Sequence, residues 1–325
     1  MPTRQQIHID RALTNISVAY IQEASAFIAD KVFPIIPVQK QSDTYFIYSK
    51  ADFFRDEAEV RAKGTESAGG DYDVETADPY FCRKYSFHSD VTEDDRVNAD
   101  DPLQPNIDAS IFVTQKLLIK REVNWATSFF KTGVWGTEIV GVAANPIAGQ
   151  SLFFNLPAAD PIKTITDAGI VMAEETGFKP NTLVLSPYVF NALKNHEDIL
   201  DRVKYTQKGI VTSDLLATLF EVDRVLVPWA VQNTAGKGKT ADNAFIMGKH
   251  ALLCHVAAKP SLRTPSAGYI FAWKGLLGAG AYGNRVVRIP MPWLGMETER
   301  VEGEMAFDTK KIAGDLGVFF KDIVQ

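Results

Sequence analysis

Along the chain, stretches in which apolar and polar residues alternate give way to stretches in which apolar residues recur every three or four positions, and the change of period marks the elements. TYFIYSK (Thr44 to Lys50) reads as a strand, and so does CRKYSFHSDV (Cys82 to Val91). Between them, ADFFRDEAEVRAKGTESAGGDYDVETADPYF is charged, glycine-containing and short of core residues. A loop of that length without a core of its own is more often functional or partner-bound than a plain connection. The segment Lys50 to Pro79 is therefore expected to be an extended hairpin reaching away from the body.

Ahead of this hairpin, Met1 to Lys31 is polar with scattered apolar positions (Ile16, Val18, Tyr20, Ile21, Phe27, Ile28), and VFPIIPV follows, where two prolines end any helix. This predicts an arm that needs another surface to pack on. After the second strand the period changes. In DPLQPNIDASIFVTQKLLIKREVNWATSFFKTG, Ile107, Ile111, Leu118, Trp125 and Phe129 fall near one helical face, with Lys116, Lys120, Arg121 and Glu122 mostly elsewhere. Asp100 or Asp101 with Pro102 can start this helix and Gly133 can end it, which predicts about seven turns.

Beyond a glycine- and proline-containing connection the two periods interleave. Helices are expected at Ile162 to Thr176, Pro187 to Asn195 and Ser213 to Phe220, and strands at TLVLS, RVLVPWAVQ, AFIMG, ALLCHVA and YIFAWKG. Interleaved helices and short strands predict a mixed α/β domain from about Asp160 to Lys274. The tail RVVRIPMPWLGMETERVEGEMAFDTKKIA returns to alternation and is expected to rejoin the long helix and the early strands.

Composition narrows the classes. A chain of 325 residues suits about two domains at roughly 150 residues each. The 46% of hydrophobic residues are not gathered into an apolar run that could span a membrane, and the start MPTRQQIHID has no apolar segment of a secretory signal. Cys82 and Cys254 give neither a disulfide framework nor a zinc spacing, which fits a reducing cytoplasm. A net charge of -6 argues against a dedicated nucleic-acid binder, since such proteins carry a clustered basic patch, yet suits a surface kept beside packed nucleic acid without sticking to it.

Several motifs fail on context. TAGKGKTAD (Thr234 to Asp242) supplies the second half of a phosphate-binding loop, but Asn233 stands where its first glycine belongs and strands, not a helix, are expected after it. GAGAYG (Gly278 to Gly283) matches the dinucleotide fingerprint, yet Pro290 and Pro292 exclude the helix that should follow. His250, Cys254 and His255 cannot chelate one ion from a strand, because two of them sit about 13 Å apart at 3.3 Å per residue and the third points the other way. His196-Glu197 lacks the second histidine of a zinc helix, and no nucleophile elbow is present. The acidic run Thr92 to Asp101 lacks the spacing of a calcium loop and reads as a solvated loop running into a helix start. Phe53, Phe54 and Tyr72 lie within the polar hairpin, where they either pack locally or mark an interface.

What remains is an arm, a protruding hairpin, a long helix and an inserted α/β domain, in that order. Four stretches sharpen this: LDRVKYTQKGIVTSDLLATLFEVDRVLVPWAVQNTA, AFIMGKHALLCHVAAKP, SLRTPSAGYIFAW and METERVEGEMAFDTKKIAGDLGVFFKDIV. In this order the chain resembles, over nearly its whole length, the tailed-phage major capsid proteins with the Hong Kong 97 type fold.

That resemblance implies an α+β chain with an N-terminal arm (1–40), an extended loop and its base (41–95) laid over a neighbouring subunit, a peripheral domain (96–159) with a spine helix (106–132), an axial domain (160–275) and a return to the peripheral domain (276–325). It implies a structural protein without catalysis, cofactor, metal or membrane. Such a protein self-assembles through pentamers and hexamers into an icosahedral head around double-stranded DNA, which it binds without sequence specificity. Portal, scaffolding or decoration proteins would be its partners, with assembly in the host cytoplasm and residence in the virion. The short segment ahead of the arm implies no large cleaved portion, hence a separate scaffolding protein or none. Lys50 and Lys63 lie in the loop, but no motif identifies partners for a covalent cross-link.

The candidate inter-subunit contacts are Ile21, Phe27, Phe53, Phe54, Arg55, Glu57, Arg61, Lys63 and Tyr72. Those nearest a symmetry axis are Tyr205, Lys208, Lys237 and Lys239. The alternative within the fold is an encapsulin-like nanocompartment shell, and a distant one is an α/β nucleotide-binding enzyme.

Overall fold

The computed structural model describes residues 21–99, 103–203, 211–259, 264–277, 285–294 and 297–325, and all structural statements below concern these. They include the hairpin strands β2 (Ser42–Asp43), β3 (Phe46–Tyr48), β4 (Val74–Thr76) and β5 (Tyr80–Phe81), which follow β1 (Ile35–Val38). Two larger sheets form the body. The first is organised by a late strand, β16 (Glu299–Lys311), long enough to serve several partners. It runs antiparallel to β6 (Arg83–Val91), and on its other edge antiparallel to β15 (Arg285–Pro290) and then to β14 (Gly268–Trp273), which pairs parallel with β1.

The second sheet has the order β10-β9-β13-β17-β7-β8, from β7 (Thr137–Val142), β8 (Gln150–Leu152), β9 (Thr182–Leu185), β10 (Arg224–Leu226), β13 (Ala251–Cys254) and β17 (Gly317–Lys321). Its central strands carry runs of apolar residues, Leu183–Leu185, Ala251–Cys254 and Val318–Phe320, because both faces are covered. Leu183, Leu185, Leu253, Val318 and Phe320 face a core shared with the helices Pro161–Thr176, Pro187–Lys194 and Ser213–Leu219. Their neighbours Val184, Leu252, Cys254 and Phe319 face a core shared with Trp125 and Phe129 of the long helix and with Ile28 and Phe33 of the arm. Local chemistry sets the helix starts: Asp160, Ser186 and Thr212 each accept a backbone N–H at the N-cap, and Gly177 (φ 73°) closes the first of these helices. Strand β11 (Val231–Asn233) pairs with β12 (Asn243–Phe245), so the expected single strand RVLVPWAVQ is split, at Pro228, into β10 and β11.

The structure departs from expectation in four further places. First, the arm finds its surface on its own chain: Phe27, Ile28, Ala29, Val32 and Phe33 are buried, and Pro37 and its neighbours pair with β14. Second, the long helix spans Pro105–Phe129, starting later than Asp101, and buries Ala109, Val113, Leu117, Glu122, Trp125, Ala126 and Phe129. Ile107 and Ile111 instead face outward. The approach is close because β16 carries a glycine there; a Cβ on Gly303 would lie 2.6 Å from Val113 and 2.7 Å from Leu117.

Third, strands far apart in the chain share sheets. β7 and β8, expected with the spine helix in 96–159, lie in the six-stranded sheet, and so does β17 from the tail. β14, expected in 160–275, lies in the sheet of β16. Fourth, the acidic run contains a short helix, Glu93–Val97, whose start is a reciprocal cap between Thr92 and Asp95. No described helix is long and apolar enough to cross a membrane.

Candidate interaction surfaces

Reactive chemistry is sparse among the described residues. No group of His, Cys, Asp and Glu is placed to hold a metal. Cys82 and Cys254 are buried, and burial pushes both thiols up to about 12, so neither is a thiolate nucleophile. The GKGKT segment is the turn between the antiparallel strands β11 and β12, with Gly238 at φ 83°, so no helix N-terminus faces it. The GAGAYG segment lies outside the described residues. His250 Nδ1 accepts from the backbone of Asp322 at 3.0 Å and His255 Nδ1 lies 2.7 Å from the Lys179 carbonyl, so each has its own partner.

The surface is where the chain is unusual. The hairpin is built by β3 and β4, in register Phe46↔Thr76 to Tyr48↔Val74, and by β2 and β5 at its base. Beyond a helical turn at Lys50–Phe53 the chain forms no regular element until β4, apart from a turn from Ala62 to Thr65 at Gly64 (φ 87°). Phe46, Phe53, Phe54, Val60, Tyr72 and Val74 are all exposed, Val60 completely. The rings of Tyr48, Phe53 and Tyr72 lie 5.7–6.1 Å from one another, so they pack locally and still present their outer faces.

Within the loop, Arg55 is the cation seen paired with carboxylates. Arg55 pairs with Asp52 at 3.3 Å and with Glu57 at 3.7 Å, and Arg61 donates to the Thr65 carbonyl; Lys63 is exposed. Asp52 also accepts from the backbone N–H of Asp73, which holds its carboxyl below the usual range. At the loop base, Lys50 pairs with Asp315, and the Phe54 ring comes within 3.5 Å of the place a Cβ would take at Gly177. The open end of the loop meets no other described part of the body through a side-chain bond.

A second apolar surface lies on the outer flank of the long helix, where Ile107, Ile111 and Phe112 are exposed and Phe112 meets Phe87 of β6 at 5.7 Å. A third is at the foot of the β11–β12 hairpin, where Phe245 stands 5.4 Å from Tyr188 and 6.0 Å from Trp229, both half exposed. Lys237 and Lys239 are exposed at that hairpin's tip. Tyr205 and Lys208 lie outside the described residues.

Of the predicted contacts, Ile21, Phe53, Phe54 and Tyr72 are exposed, but Phe27 is a core residue, fully buried by its own chain. Ile107 and Ile111 escape a sequence reading as surface residues because their apolarity assigns them to the core, and Phe112 carries no signal that singles it out. Glu122 escaped it because a charge was assigned to solvent. It is fully buried, and its carboxylate accepts from the backbone N–H groups of Ile28 and Ala29 at 3.0–3.2 Å.

No protein-family model matches the chain. It is 26% identical over 286 residues to the major capsid protein of Burkholderia phage BcepMu, covering 82% of this chain and 84% of that protein. It is 26% identical over 322 residues to the major capsid protein of Pseudomonas phage JBD67, covering 97% of each. Among solved structures, a phage-related protein of Bordetella bronchiseptica RB50 superposes with a TM-score of 0.68 at 21% identity, over 93% of this chain and 94% of that one. The mature capsid of bacteriophage PhiM1 gives 0.62 at 11% identity, over 97% and 92%. An encapsulin complex of Synechococcus elongatus gives 0.53 at 10% identity, over 97% and 95%.

Proposed function

We infer that the chain is a major capsid protein with the Hong Kong 97 type fold, a virion component whose copies assemble into a shell. What carries the inference on the molecule itself is the loop of residues 50–79. It holds aromatic and aliphatic side chains out in water on a segment with no core beneath it, a costly arrangement in a monomer that a neighbouring copy would relieve. Burying each such side chain is worth roughly 1.5–3 kcal/mol before ordering entropy is subtracted.

In the finer account, the loop lies over a neighbouring subunit and the α/β region gathers around pentamer and hexamer axes, with Lys237 and Lys239 nearest an axis. The shell encloses double-stranded DNA without reading its sequence, and assembles in the host cytoplasm with portal and scaffolding or decoration proteins. The role is structural and needs no cofactor. The loop's charges set its register more than its affinity, because exposed ion pairs contribute little.

The test is Arg55→Glu combined with Arg61→Glu, which removes the Arg55 ion pairs and the Arg61 bond to the Thr65 carbonyl and touches no core residue. We expect a folded subunit that forms no closed shells by negative-stain electron microscopy and light scattering; normal shells would count against the role given to the loop. The encapsulin likeness favours a second, weaker possibility, a nanocompartment. Particles that copurify with an enzyme cargo in place of DNA would establish it.

A further inference from the structure

From Gln22 to Val32 the chain is tied alternately to the long helix and to the α/β body. Gln22 offers its side-chain amide to β11 as a partner strand would: Nε2 donates to the Val231 carbonyl and Oε1 accepts from the Val231 N–H, each at 2.8 Å. Its own carbonyl accepts from Gln115 Nε2 of the long helix at 2.9 Å. Further along, the N–H groups of Ile28 and Ala29 donate to Glu122, and Asp30 pairs with Arg121 at 3.3 Å. The Val32 carbonyl then accepts from Arg224 Nη2 at 3.0 Å, while the same guanidinium donates from Nε to Thr182 of β9 at 3.0 Å.

Glu122 is the strained member of this series. Burial disfavours its charge, and Asp30 adds repulsion; the two backbone N–H groups and Arg121 favour it. Burial is the largest of these and lifts the carboxyl to about 7. Those are the charged groups that face it from its own helix and from the arm. From the sheet behind the helix the core contributes Tyr85, Met305 and Phe307, and from the α/β body Arg224 is bonded to Val32 and Thr182.

We propose that the segment Gln22 to Phe33 is a proton-linked strap that fastens the long helix to the α/β body, with Glu122 as its lock. Neutral Glu122 keeps the strap closed. Ionised Glu122 gains water when the strap lifts, so opening becomes easier and the helix is freed to shift against the body. This stands apart from the shell reading, since it concerns one subunit and is measured on one.

Opening releases a proton wherever solution favours the carboxylate and the closed site does not. The open-to-closed ratio should then rise about tenfold per pH unit through the weakly acidic range and level off above about pH 7. The experiment is hydrogen exchange on the full, unassembled chain between about pH 5 and pH 8, corrected for the intrinsic base-catalysed rate, with Leu252 and Phe319 amides reporting global unfolding. Protection of the Ile28 and Ala29 amides should fall about tenfold per unit up to pH 7 and then flatten. In Glu122→Gln it should not vary with pH. Gln22→Ala removes a fastening without touching the lock, so it should lower protection by the same factor at every pH and keep the slope. Flat protection in the wild-type chain, or a wild-type slope in Glu122→Gln, would overturn the proposal. Should Glu122→Gln fail to fold, the wild-type profile and the Gln22→Ala slope still decide it.

Discussion

Replacing Glu122 by glutamine should stabilise the folded subunit at about pH 8, although it removes a charged partner of two backbone N–H groups. The side chain is wholly out of water. Desolvation, working against the hydrogen bonds from Ala29 and Ile28, raises its carboxyl from the ordinary 4.5 to about 7. A folded state that holds a proton already released by the unfolded chain loses stability as pH rises. This contribution is therefore complete below pH 4.5 and gone above about pH 7. At ~1.4 kcal/mol per pKa unit, that rise corresponds to about 3 kcal/mol.

Glutamine keeps the length of the side chain and an oxygen for Ile28 and Ala29, and it has no charge to desolvate. Its amide N–H groups need a partner in a tight site, which offsets part of the gain and leaves about 1–2 kcal/mol at about pH 8. Urea unfolding of the unassembled subunit at several pH values, with the slope m checked for constancy, measures this directly. The wild-type midpoint should drop between about pH 5 and pH 7, and the variant's should drop less. A variant that is less stable at pH 8, beside a wild type whose stability rises across the same interval, would mean that the site favours the carboxylate.

The other expectations concern packing and charge in the first sheet. Gly303→Ala places a Cβ 2.6–2.7 Å from Val113 and Leu117, and thermal unfolding should show a loss of roughly 1–3 kcal/mol as the long helix is pushed off β16. Trp125→Ala empties a site bounded by Phe33, Phe129 and Phe130 and should cost about 3–5 kcal/mol by denaturant titration. Glu304 behaves opposite to Glu122. Burial works to raise its carboxyl, but the bonds from Lys84 and Arg285 prevail and hold it below the usual range. Its stabilisation is present above the ordinary value of 4.5 and lost as pH falls through the lowered one, so Glu304→Gln should weaken the subunit at neutral pH and flatten its acid unfolding profile.

The elements of the α/β region were legible because local signals agree there with tertiary packing. Leu183–Leu185 and Ala251–Cys254 are apolar at consecutive positions because both faces of their sheet are covered, and Ser186 and Asp160 cap the helices that follow them. The long helix was legible as an element but not in its orientation. It has two apolar flanks, and residue type alone does not say which one meets its own chain. Ile107 and Ile111 looked like core by size, yet the flank that docks is the one with Ala109, Val113 and Leu117, because Gly303 on a strand nearly two hundred residues later lets the helix approach there.

The same distance in sequence hid the rest. Nothing near Glu122 marks it as buried, since the N–H groups it accepts from belong to residues 93 and 94 positions earlier. The neighbours of β17 were hidden too: it enters the sheet between β13 and β7, a pairing that period-two alternation predicts as a strand without naming its neighbours. These misreadings have one physical origin. Apolar pattern reports that a face is withdrawn from water, while the agent of withdrawal is either the same chain or another copy. In this chain the two cases sit on adjacent flanks of one helix: the arm and β16 cover one, and Ile107, Ile111, Phe112 and Phe87 remain open on the other. On the shell reading proposed above, a second copy would cover that open flank, while the strap at Glu122 lies on the covered side, where it would bias the helix without occupying the open one.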